Sequence, residues 1–316
     1  MDQRIANPNA GKFLDPKRTA DGSLRATVTL SNPQTLWFNT GTLCNITCVN
    51  CYIESSPSND RLIYITAGEV EGYLDQLERR KWGVDEIGFT GGEPFMYPEI
   101  IAMLRASLSR DYKVLVLTNA MRPMQRKSVR EGLLSLREAF GDQLTLRVSL
   151  DHWNPAKHDE IRGQGAFAKT LEGMFWLRDN GFRMAVAGRA LWGEDEAEAR
   201  EKYAEFFARH DFNIDAQDPG MTVIFPEMDE MVSVPEITTA CWDILGKSPD
   251  SVMCSSSRMV VKRKGAARPA VLACTLLPYD PEFELGETLE EAERPVALNH
   301  PHCAKFCVLG GASCSA

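Results

Sequence analysis

Short apolar runs alternate with amphipathic stretches along the chain from about residue 36 to 226, and each change of period marks a change of element. The runs "TLWFNTGTL", "DEIGFT", "KVLVLT", "LTLRVSLD", "RMAVAGRAL" and "MTVIF" predict strands. "KVLVLT" is apolar on both faces, as a parallel strand buried on both sides must be. Between them, "TAGEVEGYLDQLERRKW" places Val70, Tyr73, Leu74 and Leu77 on one helical face. Thr66 followed three residues later by Glu69 predicts a capping box at its start. Further helices are predicted over about 98–109, over "RKSVREGLLSLREAF" and over "EDEAEAREKYAEFFARH". Another carries Phe167, Leu171, Met174 and Phe175 on one side and stops at "DNG", where Gly181 suits a left-handed cap.

Strand and helix repeated six times with short turns predict an α/β fold, a partial (β/α)6 TIM-like barrel around a parallel sheet. In such barrels the chemistry gathers at the C-terminal ends of the strands. The candidate motifs at residues 41–51, 90–94 and 149–151 all fall at strand ends. Beyond residue 235 the rhythm changes. "RMVVKRKGAARPAVLAC" predicts a β-hairpin with its tip at Gly265, and the tail from His300 is rich in Cys and Gly. The expected division is an N-terminal extension over 1–35, the barrel over 36–235, and a small C-terminal domain over 236–316.

Charge narrows the partners. A formal net charge of -9, with only the short cluster Lys262-Arg263-Lys264 on the basic side, argues against nucleic acid. That cluster is expected to be a solvated hairpin tip. No apolar run reaches the roughly 18 residues of a membrane span, and "MDQRIANPNAGKFLDPKR" lacks the apolar core of a signal peptide. A cytoplasmic protein with reduced thiols is expected, and nine cysteines there point to metal binding rather than disulfides.

The cysteines fall in two groups, and the first is "CNITCVNC". Cys44, Cys48 and Cys51 on one short loop can hold three corners of a cubane iron–sulfur cluster and leave one iron open for chemistry. The alternative is a zinc site completed by a distant Cys or His.

The CxxxCxxC spacing of Cys44, Cys48 and Cys51, joined to "TGGEP" at 90–94, resembles the radical S-adenosylmethionine (SAM) superfamily. The stretch "VSLDHWNPAKHDEIRGQGAFAKTLEGMFWLRDNG" is similar to the fourth strand and following helix of members that carry extra clusters. The resemblance implies that Cys44, Cys48 and Cys51 bind a [4Fe–4S] cluster whose open iron takes the amino and carboxylate groups of SAM. It implies that Gly91 and Gly92 admit the methionine end, next to Pro94, and that Glu93 accepts a hydrogen bond from the SAM ammonium. Ser149 matches the fourth-strand polar residue that often holds the ribose, and Asp151 lies on the same face, with a plain turn after the strand as the alternative. Arg189 matches a partner for the SAM carboxylate, with a structural salt bridge as the alternative. Asn119 matches a family turn, and His158 and Arg162 belong to the "HDEIRG" similarity. One departure is Asn50, where the family usually has an aromatic residue beside the adenine; Tyr52 is the candidate replacement.

The second group is Cys241, Cys254, Cys274, Cys303, Cys307 and Cys314. Cys254 and Cys274 flank the hairpin, and "HCAKFC" adds Cys303 and Cys307, a set able to enclose a whole cluster. This resembles the shortened auxiliary-cluster (twitch, SPASM-like) domain and implies one auxiliary [4Fe–4S] cluster. Because the family's close pair is more often CxxC, Cys314 is an alternative to Cys303 or Cys307, and a structural zinc remains the other reading. Cys241 is expected to be a small buried hydrophobe. The implied activity is reductive cleavage of SAM and hydrogen abstraction from a substrate, with net oxidation of a small metabolite. Modification of a ribosomally made peptide is the alternative, and a non-catalytic iron–sulfur or zinc-stabilised protein is the reading from another class. A flavodoxin or ferredoxin-type electron donor is the implied partner.

Overall fold

The computed structural model describes residues 8–226 and 232–310. Strands are numbered in chain order, beginning with the two-residue β1 (Thr27–Val28). The barrel strands are β2 (Thr35–Asn39), β3 (Glu86–Thr90), β4 (Lys113–Thr118), β5 (Leu144–Ser149), β6 (Arg183–Ala190) and β7 (Thr222–Pro226). They pair in that order and every pairing is parallel. The connecting helices are α1 (Ala67–Arg80), α2 (Ile100–Leu108), the single turn α3 (Arg122–Gln125), α4 (Lys127–Phe140), α5 (Pro155–Arg162), α6 (Ala166–Asp179) and α7 (Glu196–Arg209). The six-strand expectation and the helix assignments therefore hold, including the reciprocal Thr66–Glu69 capping box of α1.

All five residues of β2 are buried, since strands lie on both sides of it and helices cover the sheet. Phe38 of β2 lies opposite Phe89 of β3, their rings stacked with centroids 5.6 Å apart. The face of α6 differs from the expectation. Phe167, Thr170, Met174 and Leu177 are buried, while Leu171 and Phe175 are only half-buried. Phe175 instead packs on Phe212, in the segment after α7.

After a short α8 (Cys241–Leu245), the C-terminal segment returns to the barrel. β8 (Ser257–Val261) pairs parallel with β2, then β9 (Ala270–Leu272) and β10 (Glu284–Gly286) add antiparallel strands, giving a nine-stranded sheet. β11 (Val296–Ala297) pairs with β1. Gly265 sits at the tip of the β8–β9 connection with φ +83, as the hairpin reading expects. Of the basic cluster on that connection, Lys264 is exposed as a solvated tip should be, whereas Lys262 and Arg263 are half-buried. Lys262, Arg263 and Lys264 pair with Glu69, Glu284 and Asp60, so each cation ties the hairpin to another part of the fold. No helix among the described residues is long and apolar enough to cross a membrane.

Candidate active site

The chain leaving β2 at Asn39 climbs over the C-terminal ends of the barrel strands, and backbone bonds pin it there. Cys44 N–H donates to Ser56 at 3.0 Å and Val49 N–H to Ile161 at 2.8 Å. From the C-terminal segment, the Tyr279 hydroxyl donates to the Ile53 carbonyl at 2.8 Å. Arg189, at the end of β6, donates to the carbonyls of Val49 and Asn50 at 3.3 and 2.9 Å. Arg189 thus clamps the cysteine loop, and among the described residues it makes no salt bridge of the kind considered as its alternative.

A cavity with an empty volume of about 1180 Å³, partly open to solvent, lies under this loop. Cys44, Cys48, Cys51 and Tyr52 line one side, and Gly91, Gly92, Ser149, Asp151 and Arg189 line the rest of its rim. These residues lie at or just beyond the C-terminal ends of β2, β3, β5 and β6, and the parallel register brings those ends together. Asn50 is exposed, in a left-handed conformation with φ +55, and it does not line the cavity. Pro94 is buried at the start of a single 3-10 turn, also behind the wall.

Gly91 and Gly92 do more than border the cavity. A Cβ on Gly92 would fall 2.0 Å from the Leu43 carbonyl oxygen, and one on Gly91 2.6 Å from that of Gly41. Gly91 also has φ +143, a conformation that L side chains rarely adopt. The end of β3 therefore lies against the start of the cysteine loop, joined by Gly92 N–H to Gly41 at 2.8 Å and Glu93 N–H to Leu43 at 3.1 Å. Gly92→Ala is expected to cost about 1–3 kcal/mol, since the methyl meets backbone that cannot rotate away. Denaturant midpoints of the two proteins measure it.

Glu93 is 2% exposed and sits behind the wall, not in the cavity. Its carboxylate accepts from Asn119 N–H at 2.8 Å, Phe95 N–H at 3.1 Å and the Thr118 hydroxyl at 2.9 Å. Burial outweighs these donors and pushes its carboxyl up to about 7. Asn119 carries the connection onward: its side-chain amide donates to Asn45 at 2.9 Å and lies 3.9 Å from the Cys44 sulfur. Asp151 forms a two-pronged ion pair with Arg162, at 2.6 and 3.1 Å. Burial alone would raise its carboxyl, but Arg162 holds it below the ordinary value. His158 is fully buried against Phe167, and burial draws its imidazole down to about 4.

The thiols suit a metal cluster. None of the eight described cysteines forms a disulfide. Burial pushes Cys44 up to about 12 and raises Cys48, so these sulfurs become thiolates only with a metal or cation beside them. Among the described residues no three Cys, His, Asp or Glu side chains close on a point fit for a single ion. A cubane binds each thiolate at a different iron, so its ligands border a space, as these three do.

In the second group, Cys303 is buried and raised well above an ordinary thiol, first by burial and then by Cys274 and Cys254, so these three lie together. Cys274 accepts Leu276 N–H at 3.3 Å. Cys303 and Cys307 lie on one π-helical stretch, Cys303–Leu309. Cys314 lies outside the described residues. Cys241 is half-buried and accepts from Thr238, whose N–H and hydroxyl are both 3.4 Å from its sulfur. Thr275 and Leu276, directly after Cys274, line the same cavity as the first cysteine loop. Phe225 of the cavity wall stacks on Phe306, between Cys303 and Cys307, with centroids 5.7 Å apart.

Sequence reasoning missed several lining residues: Trp37, Arg147, Phe225, Thr275 and Leu276. Arg147 alone carried a signal, as a cation inside the strand "LTLRVS", where a charge must be satisfied within the barrel.

Comparison with known proteins agrees with this geometry. The antilisterial bacteriocin subtilosin biosynthesis protein AlbA of Bacillus subtilis (strain 168) is 32% identical over 145 residues, 46% of this chain and 30% of AlbA. The AdoMet-dependent heme synthase of Methanosarcina barkeri (strain Fusaro / DSM 804) is 31% identical over 144 residues, 45% of this chain and 38% of that protein. The matched stretch thus spans only about a third of these curated relatives. Streptococcus suis SuiB bound to the precursor peptide SuiA has a similar fold, with a TM-score of 0.58 at 15% identity, over 84% of this chain and 66% of that one. The sequence profile of the radical SAM superfamily matches residues 38–207, which hold both the cysteine loop and the Gly91-Gly92-Glu93 turn. The chain therefore belongs to the radical SAM superfamily, whose members bind a [4Fe–4S] cluster and SAM.

Proposed function

We propose that this radical SAM enzyme carries out a net oxidation of a substrate seated between two iron–sulfur sites. The observation that carries the reading is the shared cavity: Cys44, Cys48 and Cys51 form one wall, and Thr275 and Leu276, next to Cys274, form another. When bound, the cluster and SAM supply a 5′-deoxyadenosyl radical, made by one-electron reduction of SAM, that takes a hydrogen atom from the substrate. Loss of one further electron and a proton would complete a two-electron oxidation; Cys254, Cys274, Cys303 and Cys307 would hold an auxiliary [4Fe–4S] cluster able to supply the electron acceptor. A flavodoxin or ferredoxin-type protein is the proposed electron donor.

The chain's own residues position the reactants. Gly91 and Gly92 present backbone to the methionine end of SAM, and Glu93 fixes the wall behind its ammonium. Ser149 and Asp151 face the ribose, Tyr52 lies on the adenine side, and Arg189 keeps the cysteine loop seated over the barrel mouth. Pro94 and Asn50 shape the turns from outside the cavity. The apolar lining, Trp37, Leu117, Ile161 and Phe225 among it, keeps water from the radical.

The preferred substrate is a small metabolite held within this cavity. A peptide substrate is the second reading, favoured by the likeness to AlbA, a bacteriocin biosynthesis protein, and to SuiB, solved with a precursor peptide. The test is anaerobic reconstitution followed by reduction with SAM. About eight irons per chain, four per cluster, and slow release of 5′-deoxyadenosine are expected. Zinc in place of iron at the second group removes the oxidative reading, and no 5′-deoxyadenosine from fully loaded protein removes the SAM-cleavage role.

A further inference from the structure

Arg258, on β8, is 1% exposed, yet it has no carboxylate partner among the described residues. Its Nε donates to the Ala292 carbonyl at 2.9 Å, and its Nη1 to the carbonyls of Cys254 and Ser257 at 2.6 and 2.8 Å. Its Nη2 is buried with no hydrogen-bond partner. Buried Arg25 pairs with Glu236 and half-buried Arg162 with Asp151, while buried Arg147 donates to the Gly220 carbonyl at 3.0 Å. A guanidinium does not shed its proton, so a buried one requires a negative charge nearby. The hydrogen bond to the Cys254 carbonyl places Arg258 beside that cysteine, and Cys254 and Cys274 both act on Cys303.

We infer that Arg258 is the buried counter-charge of an anionic, thiolate-held iron–sulfur group at Cys254, Cys274 and Cys303, and that it raises that group's reduction potential. As neutral thiols the three sulfurs leave the cation uncompensated. As ligands of a cluster they would supply net negative charge on the Cys254 side of this buried guanidinium. A fixed cation there makes each added electron cheaper to hold, because cluster potentials follow local charge and hydrogen bonding. Arg258 is in this sense a positioning and tuning residue: it touches neither substrate nor SAM. The inference rests on the reading of the second cysteine group as an iron site.

The test uses the full chain, reconstituted anaerobically, with the potential read from the reduced-cluster signal that does not respond to SAM. Arg258→Met is expected to lower the reduced-to-oxidised ratio of that cluster at a fixed potential by about tenfold or more, a shift of about 59 mV per tenfold for one electron. The SAM-responsive signal should keep its potential, and Arg258→Lys should restore most of the shift. If Arg258→Met does not fold, Arg258→Gln against Arg258→Lys makes the same comparison of neutral with charged side chains. Equal potentials in the neutral and charged variants, with both fully loaded, overturn the inference. Wild-type protein with only about four irons and no SAM-independent signal overturns the underlying reading instead.

Discussion

With Cys44, Cys48 and Cys51 all changed to Ala, the reconstituted chain is expected to yield no 5′-deoxyadenosine and to retain about half its iron, one cluster of two. Both outcomes follow from the separation of the two cysteine groups. The first lines the cavity from the loop after β2, while Cys254, Cys274 and Cys303 gather around the β8–β9 hairpin. The variant should still fold. The loop is held by Cys44 N–H to Ser56, Val49 N–H to Ile161 and the Arg189 clamp, none of which uses a thiol. Iron and sulfide analysis, the SAM-cleavage assay and circular dichroism check the three statements. Unchanged iron removes the loop from the ligand set, and complete loss of iron shows that the second group holds none by itself.

The barrel was legible because its signal is local. "KVLVLT" and "RMAVAGRAL" are apolar beyond what an amphipathic strand allows, while α1 and α4 bury one face at helical spacing and α1 carries a capping box. The site was legible as far as it sits on strand ends. Cys44, Gly91, Ser149 and Arg189 are far apart in sequence, and parallel pairing alone brings them to one rim. What stayed hidden depends on contacts that no period encodes. The inward fold of β8 beside β2, which brings Thr275 and Leu276 to the cavity, is one case. The engagement of Glu93 by Thr118 and Asn119 is another, because a strand-end glutamate reads the same whether it faces a ligand or a neighbouring strand. Lys262 likewise read as a solvated tip, though its partner Glu69 lies 193 residues earlier.

The largest effect on stability is expected at the pair beneath the cysteine loop. Arg162→Met strips Asp151 of its two-pronged partner and leaves a carboxylate that is 2% exposed. Breaking a buried pair from one side costs about 3–5 kcal/mol, because the remaining charge loses its compensation. Arg189 also acts on Asp151, but it is held by the carbonyls of Val49 and Asn50 and cannot replace Arg162. The double variant Asp151→Asn with Arg162→Met should cost less than the sum of the two single changes, as neither charge is then stranded. The pH dependence has a definite sign. Burial raises the Asp151 carboxyl and Arg162 lowers it, with a net depression below 3.8. The pair's contribution is therefore complete above about pH 3.8, the ordinary carboxyl value, and is lost as pH falls through the folded value. Denaturant midpoints at neutral pH and in acid, for wild type and all three variants, decide the matter. A wild-type advantage over Asp151→Asn that persists unchanged into strong acid, or a double variant as unstable as the sum of the singles, would show that the pair does not hold this loop by charge. Arg162 also acts on Cys48 and Cys44, so Arg162→Met is expected to load iron at the first site less completely than Asp151→Asn, which keeps the cation beside the thiolates.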